Sequence, residues 1–117
     1  MGAVLVTGGA GYIGSHIVRR LREENRAVVV VDDLSEGHRE AVPAECLHVG
    51  DFADGDLVKA LCREHAVDYV VHMAANCQVG ESVENPAKYY RNNLVNSLAL
   101  LDAVRGAGVK GLVFSSS

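Results

Sequence analysis

Gly8-Gly9-Ala10-Gly11-Tyr12-Ile13-Gly14 stands between an apolar run, Ala3-Val4-Leu5-Val6, and a segment whose apolar residues recur with helical spacing. Glycine-rich turns between a strand and a helix are common, so glycines at 8, 11 and 14 gain meaning from their spacing and context. They let the backbone turn tightly, let a pyrophosphate approach the main chain, and let the helix pack onto its strand. A helix starting near Tyr12 offers phosphate its free N–H groups and positive dipole end, so no lysine is required. None is present. The phosphate loop of nucleotide triphosphatases is excluded at the same place, because it needs Lys before Ser or Thr and Gly14 occupies that position.

The surrounding chain makes the turn specific. A second apolar run, Ala27-Val28-Val29-Val30-Val31, ends at Asp32, eighteen residues beyond Gly14. That is where a Rossmann unit places an acid for the adenosine ribose hydroxyls. A carboxylate there repels a 2′-phosphate, so the reading is NAD over NADP, with Arg39 and His38 nearby as possible moderators.

Strand and helix signals alternate along the chain, which predicts an α/β fold with a doubly wound parallel sheet of Rossmann type. Strands are expected at 3–7, 27–32, 46–49, 68–72 and 111–115. The first helix carries Ile13, Ile17, Val18 and Leu21 as a core stripe, and the second, after Asp54, carries Leu57, Val58, Leu61 and Cys62. A third is capped by Asn85, has Pro86 in its first turn and ends at Gly106 or Gly108. Right-handed crossovers give the strand order 3-2-1-4-5, with the cofactor crevice at the reversal between strands 1 and 4. Asp51, after strand 3, is placed to meet an adenine amino group or to serve as a turn residue. His72-Met73-Ala74-Ala75 puts small residues where the backbone passes the cofactor.

With 117 residues, 49% of them hydrophobic and 22% charged, the chain suits one domain, residues 1–117, with a packed core. The net charge of −4 argues against nucleic acid, and Arg19, Arg20 and Arg22 read as a solvated helix face. No apolar stretch suits a membrane span or a signal peptide, so a soluble cytoplasmic protein is expected. Cys46, Cys62 and Cys77 fit neither a disulfide framework nor paired metal ligands, and His16, His38, His48, His65 and His72 are dispersed. No metal is assigned.

Taken together, Thr7 to His16, Asp32-Asp33-Leu34, Gly50-Asp51, His72 to Ala75, Val79-Gly80-Glu81-Ser82, Pro86 with Tyr89-Tyr90, Asn92-Asn93 and Val113 to Ser117 closely resemble the UDP-glucose 4-epimerases, extended short-chain dehydrogenases/reductases. The likeness covers the whole chain but only the N-terminal third of the usual family length. It implies Gly8, Gly11, Tyr12, Ile13 and Gly14 at the pyrophosphate; Asp32, Asp33, Leu34, Ser35 and Gly37 around the ribose; and Asp51 with Phe52 at adenine. Met73, Ala74, Ala75 and Cys77 fall on the nicotinamide side, Asn92 supports the cofactor, and Ser117 falls on the catalytic serine. Cys77 replaces a Lys found in some members, and Asn96 a usual Gly.

In the family reaction a tyrosine takes the sugar 4-hydroxyl proton while hydride passes to NAD, and the 4-keto sugar turns over before hydride returns. The tyrosine belongs to a Tyr-x-x-x-Lys motif, whose lysine lowers its pKa. The motif is absent here: four residues beyond Tyr12, Tyr69, Tyr89 and Tyr90 come His16, Met73, Asn93 and Leu94. The resemblance therefore implies the NAD-binding part of a UDP-hexose epimerase, inactive alone and taking UDP-hexose only in a full-length form. A non-catalytic dinucleotide-binding or assembly module, or a fragment of another sugar-nucleotide dehydratase or epimerase, stays open. The stripe Tyr90, Leu94, Leu98 and Leu101 and the edge strand 111–115 lead to the expectation of a homo-oligomer.

Overall fold

The computed structural model describes residues 2–34, 37–73 and 98–114. Five parallel strands, β1 (Val4–Thr7), β2 (Val28–Asp32), β3 (Leu47–Val49), β4 (Tyr69–His72) and β5 (Gly111–Phe114), form one sheet in the order β3-β2-β1-β4-β5. The topology is the one expected, and β1 to β4 each begin one residue later than the sequence suggests. Residue 115 lies outside the described residues.

Near-continuous valine in β1 and β2 is what a sheet covered on both faces requires. Leu5, Val29, Val31 and Val70 point to one face, where they meet Val58, Leu61 and Cys62 of α2 (Gly55–Glu64) and Leu100, Ala103 and Val104 of helical residues 98–106, here α3. Val4, Val6, Val28 and Val30 point to the other, against Val18 of α1 (Tyr12–Glu23) and Val42 and Cys46 of the β2–β3 connection. Among its described residues that connection holds a single 3-10 turn, Arg39–Ala41. With both faces apolar, a slip by one residue costs little in hydrophobic contact, so alternation alone fixes the register weakly. Polar residues at the strand ends supply the rest: Thr7, Asp32 and His72 are all buried at the C-terminal edge.

One expected core position is wrong. Val18 is buried and Ile17 and Leu21 are half-buried, but Ile13 is 60% exposed. The cause is topological, because α1 begins where β1 has already ended and its first turn overhangs the strand ends. The α2 stripe is as expected, and Asp54 caps that helix by accepting from Leu57 N–H at 3.2 Å.

The three helices among the described residues end alike. Asn25, Ala66 and Gly108 have φ of 62°, 51° and 77°. Around them Arg26, Val67 and Val109 N–H donate back to Leu21, Cys62 and Val104 O, satisfying carbonyls that would otherwise be orphaned. Gly108 was one of two sequence candidates for the end of α3; the other two stops carry no glycine to announce them. Asn85, Pro86, Tyr90 and Leu94 lie outside the described residues.

Candidate dinucleotide site

The glycine turn joins β1 to α1 at the C-terminal edge of the sheet. Gly8 N–H donates to Val31 O at 2.8 Å, and its φ of 71° is left-handed backbone that favours glycine. A Cβ on Gly14 would collide with Gly8 O and lie 2.9 Å from Gly9 Cα, so helix and turn touch backbone to backbone. Gly11 differs: its φ is −76°, and an added Cβ would meet only Gly8 O, at an ordinary 3.4 Å. Nothing in the described protein demands glycine there, which is the pattern expected where a ligand must come close. Gly9 has a third role, which the spacing of the turn does not reveal. Its Cβ would sit 2.8 Å from a Val30 methyl and 3.2 Å from Val18, so it is fixed by packing between β2 and α1.

The start of α1 is open. No side chain caps it, no acid lies in its first turn, and Tyr12 and Ile13 are 83% and 60% exposed. Its free amides and dipole thus face solvent where an anion is favoured. Tyr12 packs edge-on to His16, with ring centroids 5.0 Å apart.

Asp32 ends β2 nearly buried. Its Oδ2 accepts from Ala10 N–H at 3.0 Å and its Oδ1 from Leu34 N–H at 2.8 Å, with Leu34 at φ 64°. The carboxylate therefore ties the glycine turn to the loop after β2, and each oxygen retains capacity for a ribose hydroxyl. His38 N–H donates to Ala10 O at 3.1 Å, and a Cβ on Gly37 would meet Ala10 C at 2.8 Å and Asp32 Oδ2 at 2.9 Å. Asp33 is exposed, and Ser35 lies outside the described residues.

Asp51 is exposed and accepts from Ala53 N–H at 2.8 Å, the turn role that competed with the adenine role. Phe52 packs against His72, with ring centroids 4.7 Å apart. His72 in turn meets Thr7 across β1 and β4, its Nδ1 2.6 Å from Thr7 Oγ1, and burial lowers its pKa from the usual value. The only sequence signal for this pairing is a polar residue ending each of two apolar strands. Met73 is half-buried beside it. Ala74, Ala75, Cys77, Asn92 and Ser117 lie outside the described residues.

Burial raises the pKa of Cys46 and Cys62, which keeps both as protonated core thiols. Among the described residues no three His, Cys, Asp or Glu side chains gather as a metal site, and no helix is long and apolar enough to cross a membrane. The turn, the uncapped helix and the acid at the end of β2 together make a cradle that fits a dinucleotide. Its Gly14 contact is one that any Cβ would fill.

Residues 4–117 match the model of the NAD dependent epimerase/dehydratase family. The chain is 50% identical over 115 residues to a UDP-glucose 4-epimerase of Azospirillum brasilense, covering 97% of this chain and 33% of that protein. Among solved structures, the UDP-glucose 4-epimerase of Stenotrophomonas maltophila with bound NAD and formylated UDP-arabinopyranose is 43% identical, with a TM-score of 0.92. That match covers 100% of this chain and 37% of the other. The Brucella ovis UDP-glucose 4-epimerase in complex with NAD is 45% identical, with a TM-score of 0.91, over 99% of this chain and 36% of that one. The chain thus spans about a third of the curated relative's length. Because the family match runs from β1 to the last residue and includes every element of the cradle, the chain belongs to the NAD dependent epimerase/dehydratase family.

Proposed function

We propose that this chain binds NAD, in preference to NADP, and constitutes the NAD-binding part of a UDP-glucose 4-epimerase-like enzyme. The observation that carries the reading is the backbone contact of Gly14 with Gly8 beneath the uncapped start of α1, beside the buried Asp32. Gly8, Gly11, Tyr12, Ile13 and Gly14 would take the pyrophosphate. Asp32 to Leu34 with Ser35 and Gly37 would take the ribose, and Asp51 and Phe52 the adenine. Met73, Ala74, Ala75, Cys77 and Asn92 would line the nicotinamide half.

When bound, NAD supplies a hydride acceptor and donor for a sugar carbon. The chain's own contribution is orientation, since none of its tyrosines has lysine four residues on to lower its pKa. Ser117 would align a sugar hydroxyl only beside such a pair and a sugar-nucleotide site in a longer protein. Titration calorimetry tests the reading. NAD should bind at least about tenfold more tightly than NADP, given a carboxylate where the 2′-phosphate would lie. Equal affinity, or no saturable binding of either, would defeat it. A coupled assay with UDP-galactose should show no enzyme-like turnover by this chain.

A further inference from the structure

The strand order reverses between β1 and β4, and at that point one buried hydroxyl meets an amide and an imidazole. Thr7 is fully buried and His72 is 4% exposed. Met73 N–H is shared between Thr7 O at 2.9 Å and Thr7 Oγ1 at 3.1 Å. An amide N–H only donates, so Oγ1 is its acceptor. In the tautomer with Nδ1 unprotonated, the hydroxyl of Thr7 donates to His72 Nδ1, 2.6 Å away. That assignment leaves the imidazole proton on Nε2. An imidazolium has no lone pair to accept the bond, and burial disfavours that charged form. Phe52 packs edge-on against the ring, and the neighbouring carboxylate, Asp51, is turned to Ala53 N–H.

Thr7 immediately precedes Gly8, and Met73 immediately follows His72. We propose that Thr7 and His72 are positioning residues for the dinucleotide, their hydroxyl-to-imidazole bond clamping the exit of β4 to the exit of β1. The clamp keeps Met73 at a fixed separation from the glycine turn. Neither side chain has to touch NAD for this. The inference rests on the dinucleotide reading of the crevice.

Long-range 1H–15N spectra of the imidazole read the tautomer with no ligand present, and hydrogen exchange at the Met73 amide reads the clamp. The parent chain should show His72 with its proton on Nε2 and a protected Met73 amide, and Thr7→Ser should keep both. Thr7→Val retains shape but not the hydroxyl; it should speed Met73 exchange and weaken NAD about tenfold, the scale of one lost buried hydrogen bond. His72→Asn offers an acceptor near the position of Nδ1 and should bind NAD like the parent, whereas His72→Leu should match Thr7→Val. A proton on Nδ1 in the parent overturns the clamp even where a variant does not fold. So does parent-like Met73 exchange and NAD affinity in Thr7→Val or His72→Leu. A parent chain with the expected tautomer and protected amide that takes no NAD defeats the dinucleotide reading and leaves the clamp standing.

Discussion

Gly11 and Gly14 lie three residues apart in one turn, yet their neighbours set different demands. A side chain on Gly14 meets the backbone of Gly8 and Gly9, which cannot rotate away, whereas one on Gly11 meets only an ordinary contact. Gly14→Val should therefore lower the melting temperature and abolish NAD binding. Gly11→Ala should leave the melt nearly unchanged and weaken NAD about tenfold or more, a loss of at least ~1.4 kcal/mol of binding. Thermal melts paired with calorimetry separate the two. Asp32 carries both kinds of demand. Asp32→Ala should narrow the NAD preference and also destabilise the chain by about 1–3 kcal/mol, because Ala10 and Leu34 N–H lose their acceptor. His72 adds a pH dependence. Its pKa is lower folded than unfolded, so the unfolded chain binds more protons between the two values. Its contribution to stability is complete above the usual value of 6.5 and is lost as pH falls through the interval below it. Urea melts across that interval should show the parent losing stability faster than His72→Asn.

At the scale of elements, α1, α2 and α3 all stop on a left-handed residue, but only α3 uses glycine for it. A Cβ in this conformation costs roughly 1–2 kcal/mol, reduced for asparagine by local hydrogen bonding. Ala66 has no such compensation. Ala66→Gly should raise stability by about 0.5–1 kcal/mol, the relief of strain being partly offset by the unfolded-state entropy of glycine, and chemical denaturation would show it. The start of α1 has the opposite character. α2 is capped by Asp54, whereas α1 leaves its first amides to whatever occupies the crevice. This asymmetry distinguishes a helix held by its own sequence from one completed by a ligand.

At the scale of the molecule, the sheet is covered unevenly. Register places Val6, Val30, Val71 and Val113 on the α1 face, but α1 packs over β1 and β2, and Val113 is 59% exposed. On α3, Leu98 is 51% exposed while Leu100 is buried in the core. These surfaces motivate the association expected from the stripe Tyr90, Leu94, Leu98 and Leu101 and the strand 111–115, Tyr90 and Leu94 lying outside the described residues. Light scattering over a concentration series should show a dimer or larger oligomer, and either Leu98→Glu or Val113→Lys should dissociate it, identifying the surface. A monodisperse monomer at high concentration would remove this proposal. The relatives are about three times as long, and their remaining chain is the alternative cover for the same apolar surfaces. Joining the chain to such a remainder and losing self-association would decide for that arrangement.

By itself the sequence determined the five strands, their order, the glycine turn, the acid closing β2 and the core stripe of α2. These depend on short-range properties: apolar runs of strand length, residues that permit turns, and the handedness of crossovers. Tertiary structure decided what depends on residues far apart in the chain. Ile13 keeps helical spacing with Ile17 and Leu21 but lies beyond the strand ends, so periodicity could not reveal its exposure. Gly9 is fixed by Val30 and Val18, and the carboxylate of Asp32 by Ala10 across 22 residues. Thr7 and His72, 65 residues apart, become partners only because parallel pairing of β1 with β4 brings their side chains to one edge, where burial forces a polar group to find a polar neighbour.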